Sequence, residues 1–133
     1  MVINYIDREE INLSTIILEW SDWVPWNDLK IDARSPRGIT IPDEPGVYEV
    51  KYIQDDDKRV DIGRTSSLRM RIKQGLIKGK SPHSTGERLR GQVDVSKLVV
   101  RWALTERPCA VEEELHIRYK KKFGKLPEHT MRT

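Results

Sequence analysis

The sequence predicts a small α/β domain over residues 41–133, a three-stranded antiparallel sheet flanked by helices, with residues 1–40 as an N-terminal extension. Three observations carry this expectation. Val47 to Ile53 and Val60 to Gly63 are β-rich runs joined by the polar stretch Asp55-Asp56-Asp57-Lys58, a hairpin signal. Leu98 to Leu104 alternates, with Leu98, Val100, Trp102 and Leu104 on one face and Val99, Arg101 and Ala103 on the other, so it is the third strand. Apolar residues at helical spacing, Leu68, Ile72 and Leu76 in one segment and Val111, Leu115, Tyr119 and Phe123 in another, supply the helices.

In chain order, Ile11 to Trp20 is mixed and apolar, compatible with a short helix or strand. Trp20, Trp23 and Trp26 follow at every third position. They are either a stacking platform for bases or, more commonly for aromatics near a terminus, a pin for the extension. Turn residues in Ser35-Pro36-Arg37-Gly38 and Pro42-Asp43-Glu44-Pro45-Gly46 then punctuate the chain, and the domain is expected to begin near Ile41. After the hairpin, Ser66 or Ser67 caps a helix that leaves Arg71 at the edge of its apolar stripe. Gly75 and Gly79 end that pattern and lead into the basic loop Lys78 to His83. Ser84 and Glu87 have capping-box spacing, so a short helix carrying Arg88 and Arg90 follows. Pro108 opens the last helix, where Cys109 reads as a small packed residue.

Composition narrows the class. No apolar run approaches the roughly 18 residues that a membrane span needs, and a single cysteine rules out an intramolecular disulfide. The start lacks a basic-then-apolar signal pattern, so the expected setting is soluble and cytoplasmic. The net charge of +3 conceals an asymmetry. Residues 1–60 hold 7 Lys and Arg against 13 Asp and Glu, whereas residues 61–133 hold 17 against 8. A basic half attracts phosphates, which points to a nucleic-acid partner. Lys120, Lys121 and Lys122 share a helix with Glu113 and Glu114 and read as a solvated surface. Arg64, Arg69, Lys73, Lys78, Lys80, Arg88 and Arg90 have few acidic neighbours and are the expected nucleic-acid contacts.

The basic half also holds a motif series: Gly46-Val47-Tyr48, then Asp61-Ile62-Gly63-Arg64-Thr65, then Arg71 eight residues after Gly63. Near the end, Pro108-Cys109-Ala110-Val111-Glu112-Glu113-Glu114-Leu115 is followed by Tyr119 and Gly124-Lys125-Leu126-Pro127. In order and spacing this series resembles the GIY-YIG nuclease superfamily, from about Pro45 to Thr130. The resemblance implies a divalent-metal-dependent endonuclease that cuts phosphodiester bonds in DNA, with Mg²⁺ or Mn²⁺ held by a glutamate on the last helix. The chain departs from the pattern twice. Asp61 stands where the family has its second tyrosine, and Thr130 stands where an asparagine is expected.

The residues themselves suggest the roles. At about 100° per residue, Glu112 falls inside the apolar arc of the last helix. Glu114 lies near Arg118, and Glu113 lies toward Lys120. A carboxylate on a buried face needs either a metal or structural hydrogen bonds, and spacing leaves both open. The resemblance selects the metal, with Glu112 as its ligand. Arg71 is the expected clamp on the scissile phosphate, with Arg64 as a second positive charge. Tyr48 would orient the attacking water, although a strand tyrosine is more commonly core packing. Asp61 is open to three readings: general base, second metal ligand, or mark of a weakened site. His83 is a candidate proton donor or phosphate contact, or an exposed loop residue without a role. His116, at i+4 from Glu112, reads as incidental. The alternative function is a catalytically weakened nucleic-acid-binding module of the same fold.

Overall fold

A computed structural model describes residues 15–79 and 84–130, the side chain of Ser84 excepted. Strand β1 (Val24–Pro25) is followed by a 3₁₀ turn (Trp26–Lys30), the hairpin strands β2 (Gly46–Tyr52) and β3 (Asp61–Thr65), and a π-helix (Met70–Ile77). Helix α1 (Ser84–Gln92), strand β4 (Leu98–Leu104) and helix α2 (Pro108–Phe123) complete the chain. The sheet is antiparallel with order β1-β4-β2-β3. Among the described residues no helix is long and apolar enough to cross a membrane.

The sheet has four strands where the sequence predicts three. The added strand, β1, pairs Val24 with Val100 and Pro25 with Val99. Two residues ending in proline carry no alternation to read, and proline is tolerated there because the strand lies at an edge. Ser21 prolongs the pairing. Its N–H donates to Trp102 O at 2.8 Å and its Oγ accepts the Trp102 N–H at 3.0 Å. Trp26 and Leu29 continue into the main core, where they are fully buried. The chain from Ser21 to Leu29 is therefore built into the same body as the strands that follow. Residues 15–20 form no regular element, and residues 11–14 of the expected apolar segment lie outside the described residues.

Alternation along β2 divides the molecule into two layers. Tyr48 and Val50 face the larger core with Val100, Trp102, Ile72, Leu76 and Leu89. Val47 faces the other way, with Ala103 of β4 and Val111 of α2. Gly46 is wedged between β3 and β4, and a Cβ there would overlap the carbonyl oxygen of Ala103.

Ser67 starts the helical segment, accepting the Met70 N–H on its Oγ at 3.2 Å. The segment then widens into a π-helix, marked by the i→i+5 bond from Lys78 N–H to Lys73 O at 3.0 Å. Packing explains the difference from an ordinary helix. At 3.6 residues per turn, Ile77 would stand two and a half turns from Leu68 and face solvent. With i→i+5 closure the same nine residues make about two turns, and both side chains reach the core. Arg90 of α1 caps the end, donating from Nη1 to Gly75 O at 2.8 Å and to Leu76 O at 2.7 Å. These carbonyls belong to the last turn, which leaves such groups without helical partners.

Helix α2 begins with Pro108 at its first turn and ends at Gly124, whose φ of 79° suits a glycine. Cys109 is exposed on α2, against the packed position expected for it. Beyond Gly124 the chain returns along the outer edge of β3, where the His129 N–H donates to Val60 O at 2.8 Å. Arg90→Ala is expected to lower unfolding free energy by about 1.5–3 kcal/mol, the worth of hydrogen bonds from a charged donor. Urea titration measures this, and a parental midpoint would remove the capping role.

Candidate functional site

Strand β3 carries the site, and its register with β2 fixes which side chains meet. Gly63 lies opposite Tyr48 and Asp61 lies opposite Val50, so these residues share one face. Arg64 lies opposite Val47 on the face covered by α2. Tyr48 is buried with its ring directly over Gly63, and a Cβ on Gly63 would overlap the ring and hydroxyl. Glycine is required there by this contact alone.

Asp61 is buried, 3% exposed. Its Oδ1 accepts from the Thr130 hydroxyl at 2.8 Å, and the same hydroxyl accepts the Ile62 N–H at 3.1 Å. The two positions that depart from the resembled motif are thus in contact with each other. Oδ2 of Asp61 is buried without a hydrogen-bond partner among the described residues. Burial pushes the Asp61 carboxyl up to about 6, against the pull of the Thr130 hydrogen bond; the charge of Glu112 adds to the rise and His116 opposes it.

On the other face, α2 turns Glu112 inward, where it is buried, while Glu113 and Glu114 are exposed. Arg64 Nε lies 3.3 Å from Glu112 Oε1, and the Arg64 side chain is partly exposed. Glu114 pairs with Arg118 at 2.9 Å across one helical turn. His116, one turn beyond Glu112, is buried with Nε2 at 2.9 Å from Ile62 O. Sequence reading treated His116 as incidental. Its i+4 spacing from an inward-facing residue was the available signal that it too faces the sheet.

Among the described residues no three His, Cys, Asp or Glu side chains gather as a metal cage. The donor set therefore suits only an ion that accepts one or two carboxylates and completes its shell with water and phosphate, which is the habit of Mg²⁺. The buried Glu112 carboxylate fits that requirement; Asp61, whose Oδ2 has no hydrogen-bond partner among the described residues, belongs to the opposite face of β3.

Arg71 is half-buried on the π-helix, and its side chain makes no hydrogen bond or ion pair with the described residues. The remaining expected contacts divide. Lys78 is exposed and Arg88 is half-buried. Lys73 has a buried ammonium that donates to Leu29 O and Ile31 O, both at 2.9 Å, at the end of the 3₁₀ turn. Arg90 uses its guanidinium to cap the π-helix. Arg69 is exposed, with Nε committed to Ile41 O at 2.9 Å. A charge count cannot tell a cation that caps a carbonyl from one that faces solvent. Lys80 and His83 lie outside the described residues. Trp20 and Trp23 hold the Arg101 guanidinium at 4.1 and 4.6 Å from their ring centroids, and Glu49 binds both Arg101 and Arg59 beneath them. These indoles fasten the extension to the sheet, while Trp26 is core.

No protein-family model matches the chain, and no curated protein matches it. Three solved structures are similar in shape, all point mutants of the GIY-YIG N-terminal endonuclease domain of UvrC from Thermotoga maritima bound to its catalytic divalent cation. They are 22–24% identical to the chain with a TM-score of 0.45, over 69% of this chain and 88% of theirs.

The Asp61 environment sets a pH dependence. An acid whose folded value lies above its ordinary 3.8 binds more protons folded than unfolded between 3.8 and about 6. Its contribution to stability is then greatest below that window and declines as pH rises through it, by roughly 3 kcal/mol at most. Asn has no such charge and can still accept from Thr130. Asp61→Asn is therefore expected to gain stability over the parent between pH 4.5 and 7.5. Urea midpoints at both pH values measure the gap, and one that does not widen would contradict the burial cost.

Proposed function

We propose that this protein is a divalent-metal-dependent nuclease acting on DNA, with its reactive centre beside β3. The observation that best supports this reading is the meeting of Arg64 with the buried Glu112 at 3.3 Å on the α2 face of the edge strand β3, whose other face carries Gly63 under Tyr48. Hydrolysis of a phosphodiester needs an oriented water with a proton acceptor, positive charge to neutralise the phosphate and help for the departing oxygen. Glu112 would hold Mg²⁺ or Mn²⁺, which when bound supplies positive charge to the phosphate oxygens. Arg64 is partly exposed and the Arg71 guanidinium has no hydrogen bond or ion pair with the described residues, so both are assigned to the phosphate. A planar guanidinium can bind two phosphate oxygens at once. Tyr48 is assigned to orient the water. Asp61 is assigned as proton acceptor through Oδ2, the oxygen that Thr130 leaves unbonded.

A second reading is favoured by the same ion pair. Arg64 already balances the charge of Glu112, as a structural carboxylate in a nucleic-acid-binding module would require. Incubating supercoiled, branched and single-stranded DNA with the protein, with and without Mg²⁺ or Mn²⁺, separates the two: metal-dependent nicking supports the nuclease, and binding without cleavage supports the module.

Glu112→Gln is expected to abolish cleavage while DNA affinity stays within a few-fold; Glu113→Gln and Glu114→Gln should be mild, and equal losses in all three would defeat the assignment. Arg71→Lys is expected to lose most activity despite keeping its charge, because an ammonium is a point-like donor. Single-turnover rates should fall below about pH 6 as Asp61 takes up a proton. Asp61→Asn should cost roughly two orders of magnitude or more at neutral pH; a mutant profile that matches the parent's would sink the base role.

A further inference from the structure

A cavity of about 440 Å³ lies between the loop at residues 32–41 and the π-helix with its preceding turn. Its lining includes Arg34, Arg69, Lys73, Lys78, Thr40 and a single carboxylate, Asp32. Four cations against one anion is an unusual excess for a concave surface, because like charges repel more strongly where water is partly excluded. The π-helix helps create it. Lys73 and Lys78 are five residues apart and joined by an i→i+5 bond, so they fall on successive turns of the same side.

The cations in this cavity retain capacity for a ligand. Lys73 is only 6% exposed, and its ammonium has three protons. Two go to Leu29 O and Ile31 O, which leaves one without an acceptor among the described residues. Burial and the neighbouring charge of Lys78 push the Lys73 pKa down, and Asp32 opposes them. Arg69 spends Nε on Ile41 O, and its terminal nitrogens have no hydrogen-bond partner among the described residues. The Arg34 side chain is almost wholly exposed and reaches the Asp32 carboxylate through Nε and Nη2 at 3.5 Å, while its backbone N–H donates to Asp32 Oδ1 at 2.9 Å. Lys78 is exposed and unpaired among the described residues. The Thr40 hydroxyl adds a neutral donor to the wall.

We propose that this cavity seats a backbone phosphate of a polynucleotide strand, at a position separate from the reacting phosphate beside β3. The ligand class follows from the donors: fixed and mobile cations around a concave wall, with guanidinium forks suited to a tetrahedral oxyanion. Half of the cavity comes from the loop after the 3₁₀ turn, so the N-terminal segment contributes to binding through Arg34 as well as to the core. The inference rests on the nucleic-acid substrate proposed above, but not on its cleavage.

The test is fluorescence anisotropy of a labelled oligonucleotide in the presence of a chelator, across a salt series. Lys78→Ala and Arg34→Ala remove exposed side chains, and their urea midpoints verify that the fold is kept. Each is expected to weaken binding about fivefold or more and to reduce the slope of log affinity against log salt by about one. Lys121→Ala, on the exposed side of α2, is expected to leave both unchanged. Parental affinity and slope in the two cavity variants would overturn the proposal. In a second arm, inorganic phosphate is titrated at constant ionic strength. Phosphate binding that depends on Lys78, together with oligonucleotide binding that does not, would assign the seat to a free phosphate and also overturn it. Because the readout is binding without metal, a failure to cleave DNA would count against the nuclease reading and leave this result standing.

Discussion

Strand β3 lies at the edge of the sheet, and the outward N–H and C=O groups of an edge strand must find partners once they are covered. Here three residues from the C-terminal part of the chain supply them. His116 meets Ile62 O, the Thr130 hydroxyl takes the Ile62 N–H, and the His129 N–H reaches Val60 O. Closing this edge fixes α2 against the sheet and brings the segment after Gly124 back beside Asp61. The meeting of Arg64 with Glu112 depends on that arrangement, because the two belong to elements about 50 residues apart in the chain. The edge contacts also account for the burial of Asp61.

The two acidic residues of the site are neutralised in different ways. Glu112 has the Arg64 guanidinium beside it at 3.3 Å. Asp61 has only a neutral hydroxyl on one oxygen and no hydrogen-bond partner among the described residues on the other. Its charge is costly, and its affinity for a proton rises accordingly. Asp61 is thus poised to exchange a proton near pH 6. This contrast places two different chemical capacities on either side of one strand.

The basic residues show a second division. Lys73 and Arg90 use their cationic heads on carbonyls at the ends of the 3₁₀ turn and the π-helix, where backbone acceptors lack helical partners. Arg71 and Lys78 have no such commitment among the described residues. Both kinds of residue raise the local potential, so even a structural lysine strengthens the field that a phosphate would feel. The π-helix links these roles: its wide turn lets Ile77 reach the core and sets Lys73 and Lys78 on one side.

The sequence by itself determined the elements whose pattern is local. Alternation defined β4 from Leu98 to Leu104, the polar run from Asp55 marked the hairpin, and the helical arc put Glu112 on the inner side of α2. Spacing also marked Gly46 and Gly63, whose close contacts leave no room for a side chain. Tertiary structure decided what local pattern cannot encode. Strand β1 has two residues and exists only because β4 offers it an edge. The widening of the π-helix answers to packing at Ile77, and the Asp61–Thr130 contact joins positions 69 residues apart. Whether a cation faces solvent or a carbonyl, and whether a carboxylate is paired or left alone, depends on which distant backbone groups arrive beside it. Those partners are chosen by the packing of whole elements, so residue type and spacing alone do not reveal them.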